Sequence, residues 1–412
     1  MKKRNHRPSL QKPLLAAAAL GLSLTLAAGA HAQTVSNDVV KIGLLNDQSG
    51  IFADMSGKMS VEAVKMAIDD FGGKVLGKPI QVVSADHQNK VDIGLATARK
   101  WYEQEGVDMI LDVPNSAIAL AVQELSKQMN RVAIYTSPGT SDLTGKACSP
   151  NGIHWTYDTY AYASGAAAGV MAEGGKTWFF ITSDYAFGHA LERDASAIVK
   201  AQGGQVLGAI KHPIASSDFS SYLVQAQASK AQVIGLANGS ADTINTMKQA
   251  REFGIGTGNQ RVAALYMGIN DVHSMGLAIA QDINLVEAFY WDQSPESRKW
   301  ADRFYKVAGR MPSGVQASNY AATLHYLKAI QAAGTDEAGA VVKKMREMKI
   351  NDLMTKDGYI REDGRVMRDL YLYKIKKPSE SKRPWDYYTV VRTIPAQQAF
   401  KAPDPVCTLV KK

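Results

Sequence analysis

The sequence predicts an α/β protein of two doubly wound parallel-sheet lobes, and three observations predict it. From Val39 onward, short apolar runs alternate with amphipathic stretches of helical spacing. The alternation restarts near Tyr160 instead of simply running on. The chain has 412 residues. Without an N-terminal leader about 380 remain, more than one hydrophobic core usually serves, so two lobes are expected.

The first series opens with a strand at Val39–Leu45, rich in β-branched and aliphatic residues. A helix at Ser60–Phe71 follows, with Val61, Val64, Ala67 and Ile68 at helical spacing, and Gly72-Gly73 supplies the stop. Strand Ile80–Ser84, helix Ile93–Tyr102, strand Asp108–Asp112, helix Ala117–Met129 and strand Arg131–Tyr135 continue it. Helical connections of this length argue right-handed β-α-β crossovers and parallel strands.

The second series runs helix Tyr160–Glu173, strand Thr177–Thr182, helix Phe187–Gln202 and strand Val206–Lys211. Helix Phe219–Ser229, strand Gln232–Leu236, helix Asp242–Phe253 and strand Arg261–Tyr266 complete it. The remainder reads as mostly helical until strands at Met367–Ile375 and Tyr387–Val391. No sequence repeat relates the two series. The cluster Lys374, Lys376, Lys377, Lys382 and Arg383, interrupted by Pro378, Ser379 and Ser381, reads as a solvated loop.

Residues 1–32 read as a secretory signal peptide. Lys2, Lys3, Arg4, Arg7 and Lys12 form its basic region, Leu14–Ala28 its apolar run, and Ala30-His31-Ala32 a small-x-small site with cleavage after Ala32. An uncleaved anchor is disfavoured, because Gly21, Ser23 and Thr25 interrupt a run already short for a bilayer. No cysteine follows the run to carry a lipid. The leader holds five basic residues and no acid, so the formal charge of +8 falls by five to +3 on its removal. Nucleic acid is therefore not implied as a partner, nor is stable membrane insertion. The expected address is the periplasm.

Two cysteines, Cys148 and Cys407, make an even pair in an oxidising compartment and read as one disulfide, with two buried free thiols as the alternative. The tail 396–412, with Pro403 and Pro405, reads as irregular and in need of that staple. No metal site is expected. His87, His154, His189, His212, His273 and His325 show no ligand spacing with one another or with the cysteines.

Enzyme motifs fall short as well. The sequence has no Gly-x-x-x-x-Gly-Lys loop and no Gly-x-Gly-x-x-Gly after the first strand. It has no His-Glu-x-x-His, and beyond residue 32 no Gly-x-Ser-x-Gly elbow. Gly254, Gly256 and Gly258 follow a helix and read as a turn. Neither enzymatic activity nor a cofactor is expected.

Polar chemistry gathers instead at strand carboxyl ends, where open parallel sheets place ligands. Ser49-Gly50 and Asp54-Met55 follow the first strand. Asn115 and Ser116 open the helix after the third, and Gly139, Thr140 and Ser141 follow the fourth. Hydroxyls and free N–H groups at helix N-termini suit an anion, although plain N-capping explains any one of them. In the second series, Tyr185 with Phe187, Asn238 with Gly239, and Met267 stand at the corresponding ends.

At these loops the chain resembles the leucine/isoleucine/valine-binding group of periplasmic proteins, the receptors of ATP-driven importers. The resemblance rests on Lys41–Leu45 with Ser49-Gly50, the segment Gly72–Lys78, Asn115-Ser116, the loop Ser137–Leu143 and Thr182–Ala190. It implies two lobes joined by a three-strand hinge, the type I periplasmic binding protein fold, with a solute trapped between them. Carried over, the crossovers fall near Asp158, Tyr290 and Arg365. Lobe 1 then comprises 34–157 with 291–364, and lobe 2 comprises 158–290 with 365–395. It also implies a small-molecule solute, ABC importer permease subunits as partners, and a monomer.

The same resemblance assigns a solute carboxylate to Asn115 or Ser116 with Gly139, Thr140 and Ser141, and a covering aromatic ring to Phe187. Where amino-acid binders of the group carry an acid for the ligand's ammonium, this sequence is expected to have Met267. Met55 stands where a tyrosine is frequent. Asp54, Asp184 and Asp242 are the acids left to supply the charge. The expected solute is thus a small hydrophobic or aromatic carboxylate or an amino acid, with a ligand-sensing receptor of the same fold as the alternative function.

Overall fold

The structure is a computed structural model that describes Met1, residues 35–256 and residues 258–411. The expected cleavage point after Ala32 lies outside the described residues. Gln33–Lys412 forms one unit.

Its first sheet has six strands in the spatial order Lys74–Val75, Lys78–Asp86, Val40–Asn46, Met109–Asp112, Val132–Tyr135 and Gly152–His154. All neighbours pair in parallel except the hairpin that joins the first two. Helices cover the sheet, so the central strand Val40–Asn46 is buried almost throughout. Helix Gly57–Phe71 buries the expected Val61, Val64, Ala67 and Ile68. It ends where Gly72 takes a φ of 105° and its N–H, like that of Gly73, returns to the carbonyl of Ile68.

The second sheet has four parallel strands in the order Arg261–Ala264, Val233–Ala237, Thr177–Ser183 and Gln205–His212. Helix Thr159–Ala172 leads into it and packs on Ala186–Ala201. The two parallel sheets and the restart between them are as the alternation predicts.

The last third differs from the expected run of helices. Helices Pro295–Ala308, Gly314–Ala333 and Ala338–Glu347 are present, and the first two pack on Gly57–Phe71. Ser294 and Ser313 cap the first two through their side chains. Strand Asn284–Glu287, however, pairs antiparallel with Leu370–Ile375, which pairs in turn with Tyr388–Ile394. Ile350–Asp352, Thr355–Ile360 and Val366–Met367 form another small antiparallel sheet. Polar residues such as Glu287, Asn351, Lys356 and Asp357 break the apolar runs here, and pairing partners supply the order that local propensity does not.

Buried polar groups mark the places where the chain passes between the sheets. Arg365, fully buried, bridges to His154 in parallel and donates to the carbonyl of Tyr157 at 2.8 Å. Its Nη1 lies 3.7 Å from the carboxylate of Asp158, which caps helix Thr159–Ala172. Burial pushes the Asp158 carboxyl up to about 6 against the pull of Arg365. Burial likewise brings the Arg365 guanidinium down to about 9.

Cys148 and Cys407 form the disulfide, with Cα atoms 5.7 Å apart and a sequence separation of 259. The tail is held by more than this bond. Arg365 lies over the ring of Phe400 at 4.6 Å, and Arg361 donates to the carbonyl of Lys401 at 2.9 Å. The basic cluster is paired locally, Lys374 with Asp282 and Lys376 with Asp386, while Arg383 lies over Trp291.

Candidate functional site

At the carboxyl edge of the first sheet a buried polar network sets the loops. Ser56, Ser137 and the amide of Asn46 all donate to the carboxylate of Asp112, which is buried. Burial pushes this carboxyl up, and those donors oppose the shift. Asp112 and Val113 have φ of 86° and 61°, a left-handed pair that a β-branched residue rarely adopts, at the turn into Pro114 and Asn115.

Several of the expected anion-binding groups are engaged within the protein. The Asn115 carbonyl oxygen caps its own helix, accepting from Ala117 and Ile118 N–H at 3.0 and 3.3 Å. Ser116 Oγ accepts from Thr140 N–H at 3.3 Å. Ser141 Oγ donates to Asp194 at 2.7 Å and accepts from Arg193 at 2.7 Å. Arg193 also reaches Asp142 at 2.9 Å, and Thr159 donates to Asp194 at 2.6 Å. These contacts tie the loop after strand Val132–Tyr135 to helix Ala186–Ala201 of the other sheet.

An aromatic cluster lies between the two sheets. Ring centroids of Tyr157 and Tyr162 are 4.6 Å apart, Tyr162 and Tyr266 4.8 Å, and Phe187 meets Tyr266 edge-on at 5.9 Å. Tyr185 stands 6.0 Å from Phe187. Phe187 covers Gly139 so closely that a Cβ there would sit 2.6 Å from the ring, and a Cβ on Gly239 would sit 2.8 Å from Tyr266. Met55 enters from the first sheet, with Tyr266 Oη 2.7 Å from its sulfur. Met55, Gly139, Phe187 and Gly239 are thus brought together around Tyr266.

Asn238, Met267 and Asp54 sit differently. The Asn238 amide is absorbed by Thr243 at 2.8 Å, with Thr246 and His212 at 3.3 Å. Met267 is buried and is not among the residues lining the cavity beside Tyr266. The Asp54 carboxylate faces outward to Arg310 at 2.9 Å, while its carbonyl accepts from Asn270 at 3.1 Å. Asp184 pairs with His189 and Lys211, and Asp242 accepts from Ala215 N–H and Ser183.

The acids beside that cavity are Asp271 and Glu287, which sequence reasoning missed. Met55, Tyr157, Tyr266 and Asn270 line it with them, and the space left is small, about 10 Å³. Burial pushes Asp271 up to about 7, against the hydrogen bond from Gly268 N–H at 2.9 Å. Burial raises the Glu287 carboxyl well above the usual range, and the neighbouring Asp271 charge adds to it. An acid interrupting the apolar run Ile283–Trp291 was the available signal for Glu287. Asp271 carried no comparable signal, because its position in a first helical turn is also that of an ordinary capping acid.

Two larger grooves, of about 370 and 850 Å³, are lined only by residues of the segment 293–390 and touch neither parallel sheet. Among the described residues no group of three or more His, Cys, Asp or Glu is placed to hold a metal. No described helix is long and apolar enough to cross a membrane.

Comparison with known proteins agrees with this architecture. A family model described as "Periplasmic binding protein" matches residues 39–382. A crystal structure of a periplasmic binding protein from Burkholderia mallei is 49% identical, with a TM-score of 0.89 over 91% of this chain and all of that one. A branched chain amino acid ABC transporter periplasmic ligand-binding protein from Burkholderia xenovorans is 41% identical, with a TM-score of 0.77 over 88% of this chain and 97% of that one. A Leu/Ile/Val-binding protein homolog 6 from Brucella suis is 26% identical over 357 residues, 83% of this chain and 89% of its own length.

Proposed function

The chain belongs to the periplasmic binding protein family, and from that premise we propose that it is the solute receptor of an ABC importer of the branched-chain amino acid type. The observation that carries this reading is the aromatic and acidic lining at Met55, Tyr266 and Glu287, drawn from both sides of the crossover region around a space of about 10 Å³ that has to open to admit a solute. A two-lobed protein with an aromatic cluster and a few convergent polar groups between its sheets is suited to enclosing one small solute. Its partners are that solute and the permease subunits, and energy comes from the importer's ATPase.

The finer parts of the reading follow from the same premise. The protein is exported to the periplasm, with cleavage after Ala32, and acts as a monomer without catalysing a reaction. Lobe 1 comprises 34–157 with 291–364, and lobe 2 comprises 158–290 with 365–395. Closure brings Ser116, Gly139, Thr140, Phe187 and Tyr266 around the solute. A hydrophobic or aromatic carboxylate and an amino acid are the two solute classes in play.

A thermal-shift screen of ligand-stripped protein against amino acids, aromatic acids, fatty acids and amides tests the reading, since a solute that binds only the folded state raises the melting temperature. One chemical class is expected to stabilise the protein at micromolar concentration. No stabilisation by any class, or turnover of a bound compound, contradicts it.

A further inference from the structure

Three crossings, near Asp158, Tyr290 and Arg365, would leave the end of the chain in lobe 2, yet its last cysteine is bonded in lobe 1. Strand Tyr388–Ile394 belongs to the antiparallel sheet that packs on helix Thr159–Ala172, where a Cβ on Gly165 would meet both Val286 and Ile394. The short helix Ala396–Ala399 stays on that side, against the same helix. The residues that follow lie on the other. Arg361 donates to the carbonyl of Lys401 at 2.9 Å, Asp404 lies against Gly145, and Lys411 N–H reaches Glu362 at 3.2 Å. Cys407, buried, is then bonded to Cys148.

The passage is made at Phe400, a buried ring 4.6 Å from the guanidinium of Arg365. Arg365 in turn bridges to His154 and donates to the carbonyl of Tyr157, so the tail runs beside the first and third crossings. A groove of about 310 Å³ under the tail is lined by Asp158 and Arg193 from lobe 2, Asp142 and Arg361 from lobe 1, and Lys401. The tail therefore spans a gap between the lobes and is not embedded in either. Fully extended, the residues from 400 to 407 reach about 25 Å. The span stays short only while both of its ends are held. Without the disulfide, the contacts at Phe400 and Lys401 are left to hold the crossing, and both are of a weak kind.

We propose that residues 396–407 form a fourth crossover, a ligament beside the hinge that the Cys148–Cys407 bond makes covalent, and that it limits how far the lobes separate in the solute-free protein. The proposal rests on the two-lobed receptor reading and adds a restraint on its open state. The loop closed by the bond contains all three chain crossings, so the tail completes a covalent ring through both lobes. A staple that only fastened the tail would act on unfolding alone. A ligament acts inside the folded state, because it narrows the open ensemble from which closure starts. The closed form keeps its contacts when the bond is cut, so affinity falls by no more than a few-fold.

The test places donor and acceptor dyes at Lys58→Cys and Ser274→Cys, both exposed and both flanking the mouth of the cleft, where Asn270 donates to the carbonyl of Asp54 at 3.1 Å. Maleimide labelling without reductant leaves the native disulfide intact. Single-molecule energy transfer is recorded on the ligand-stripped full chain, with and without Cys148→Ser/Cys407→Ser, well below both melting temperatures. The serine variant is expected to show a broader distribution, shifted to lower transfer efficiency by a longer distance across the mouth. Should that variant fail to fold, dithiothreitol reduction of the labelled, folded protein carries the same comparison. The S–S bond then becomes two thiols while the reagent is oxidised to its cyclic disulfide, and the half-buried Cys148 is the sulfur it reaches. Broad distributions that superimpose, or a shift to higher efficiency, overturn the ligament and leave the receptor reading standing. One narrow distribution at the same distance in both proteins overturns the ligament and the moving lobes together.

Discussion

Gly139 and Asp271 concentrate the physics of the cleft in two residues. A methyl group at 139 would sit 2.6 Å from Phe187 Cε2, so Gly139→Ala must push the ring off the loop. Overpacking of this kind costs about 1–3 kcal/mol. Because Phe187 belongs to a helix packed on the second sheet and Gly139 to a loop of the first, we expect the cost to fall mainly on closure: solute affinity drops by roughly tenfold while the melting temperature moves little. Calorimetric titration beside a melting curve separates the two effects.

Asp271 makes a pH prediction. Its folded carboxyl holds a proton to about 7 because of burial, whereas an unfolded aspartate releases it near 3.9. Between these values the folded state binds more protons, so this group's contribution to stability falls as pH rises from about 4 to 7. Buried histidines pull the other way: burial takes His87 down to about 4, so stability from that group grows with pH above it. The informative quantity is therefore a difference. The melting temperature of Asp271→Asn minus that of wild type should increase from pH 5 to pH 7.5, with ligand absent, and a flat difference would remove the assigned shift.

The elements most legible in the sequence were those whose signal is local. Val40–Asn46 announced itself as a buried parallel strand by its apolar run, and Gly57–Phe71 by the spacing of Val61, Val64, Ala67 and Ile68 and its double-glycine stop. Asn284–Glu287 did not, because a four-residue strand with polar ends acquires its identity from Leu370–Ile375, some ninety residues later. Glu287 was missed for the same reason. The candidate loops of the first sheet lie at its carboxyl edge, as their positions after the strands predict, yet the partners of Ser141 could not be read, since Arg193 and Asp194 lie on a helix of the other sheet.

That contact between elements makes its own prediction. Arg193 bonds Asp142 and Ser141, and Asp194 takes Ser141 and Thr159, so helix Ala186–Ala201 is latched to the loop after Val132–Tyr135. Arg193 is about half exposed, which limits its worth to around 1 kcal/mol and makes it salt-sensitive. Arg193→Ala should lower solute affinity a few-fold at low ionic strength, chiefly through faster release, and Asp142→Asn should add little in the double variant. Stopped-flow dissociation rates for the cycle measure this; fully additive effects would argue that the pair is not coupled.

Over the whole molecule, the disulfide closes a span of 259 residues. Chain entropy gives such a closure up to roughly 5 kcal/mol, with any native strain subtracted. The tail is also held by Phe400 under Arg365 and by Arg361, so it need not detach at once on reduction. Reduction, or Cys407→Ser, should lower the denaturant midpoint substantially while leaving solute binding within a few-fold. Loss of binding in parallel with loss of stability would instead make the tail part of the site.

The cavity between Met55, Tyr266 and Glu287 is where we place the solute. Gly268 borders it in an extended conformation, and a Cβ there would meet Glu287, Asp271 and Tyr266 only at ordinary contact distances of 3.7–3.8 Å. A larger side chain at this position would therefore grow into the space reserved for the solute. Titration calorimetry of wild type and Gly268→Leu, with whichever probe binds wild type, decides the matter. We expect one solute per wild-type chain and no measurable binding to the variant, whose melting transition stays cooperative though lowered by the overpacking. Undiminished binding by Gly268→Leu would put the solute elsewhere in the molecule.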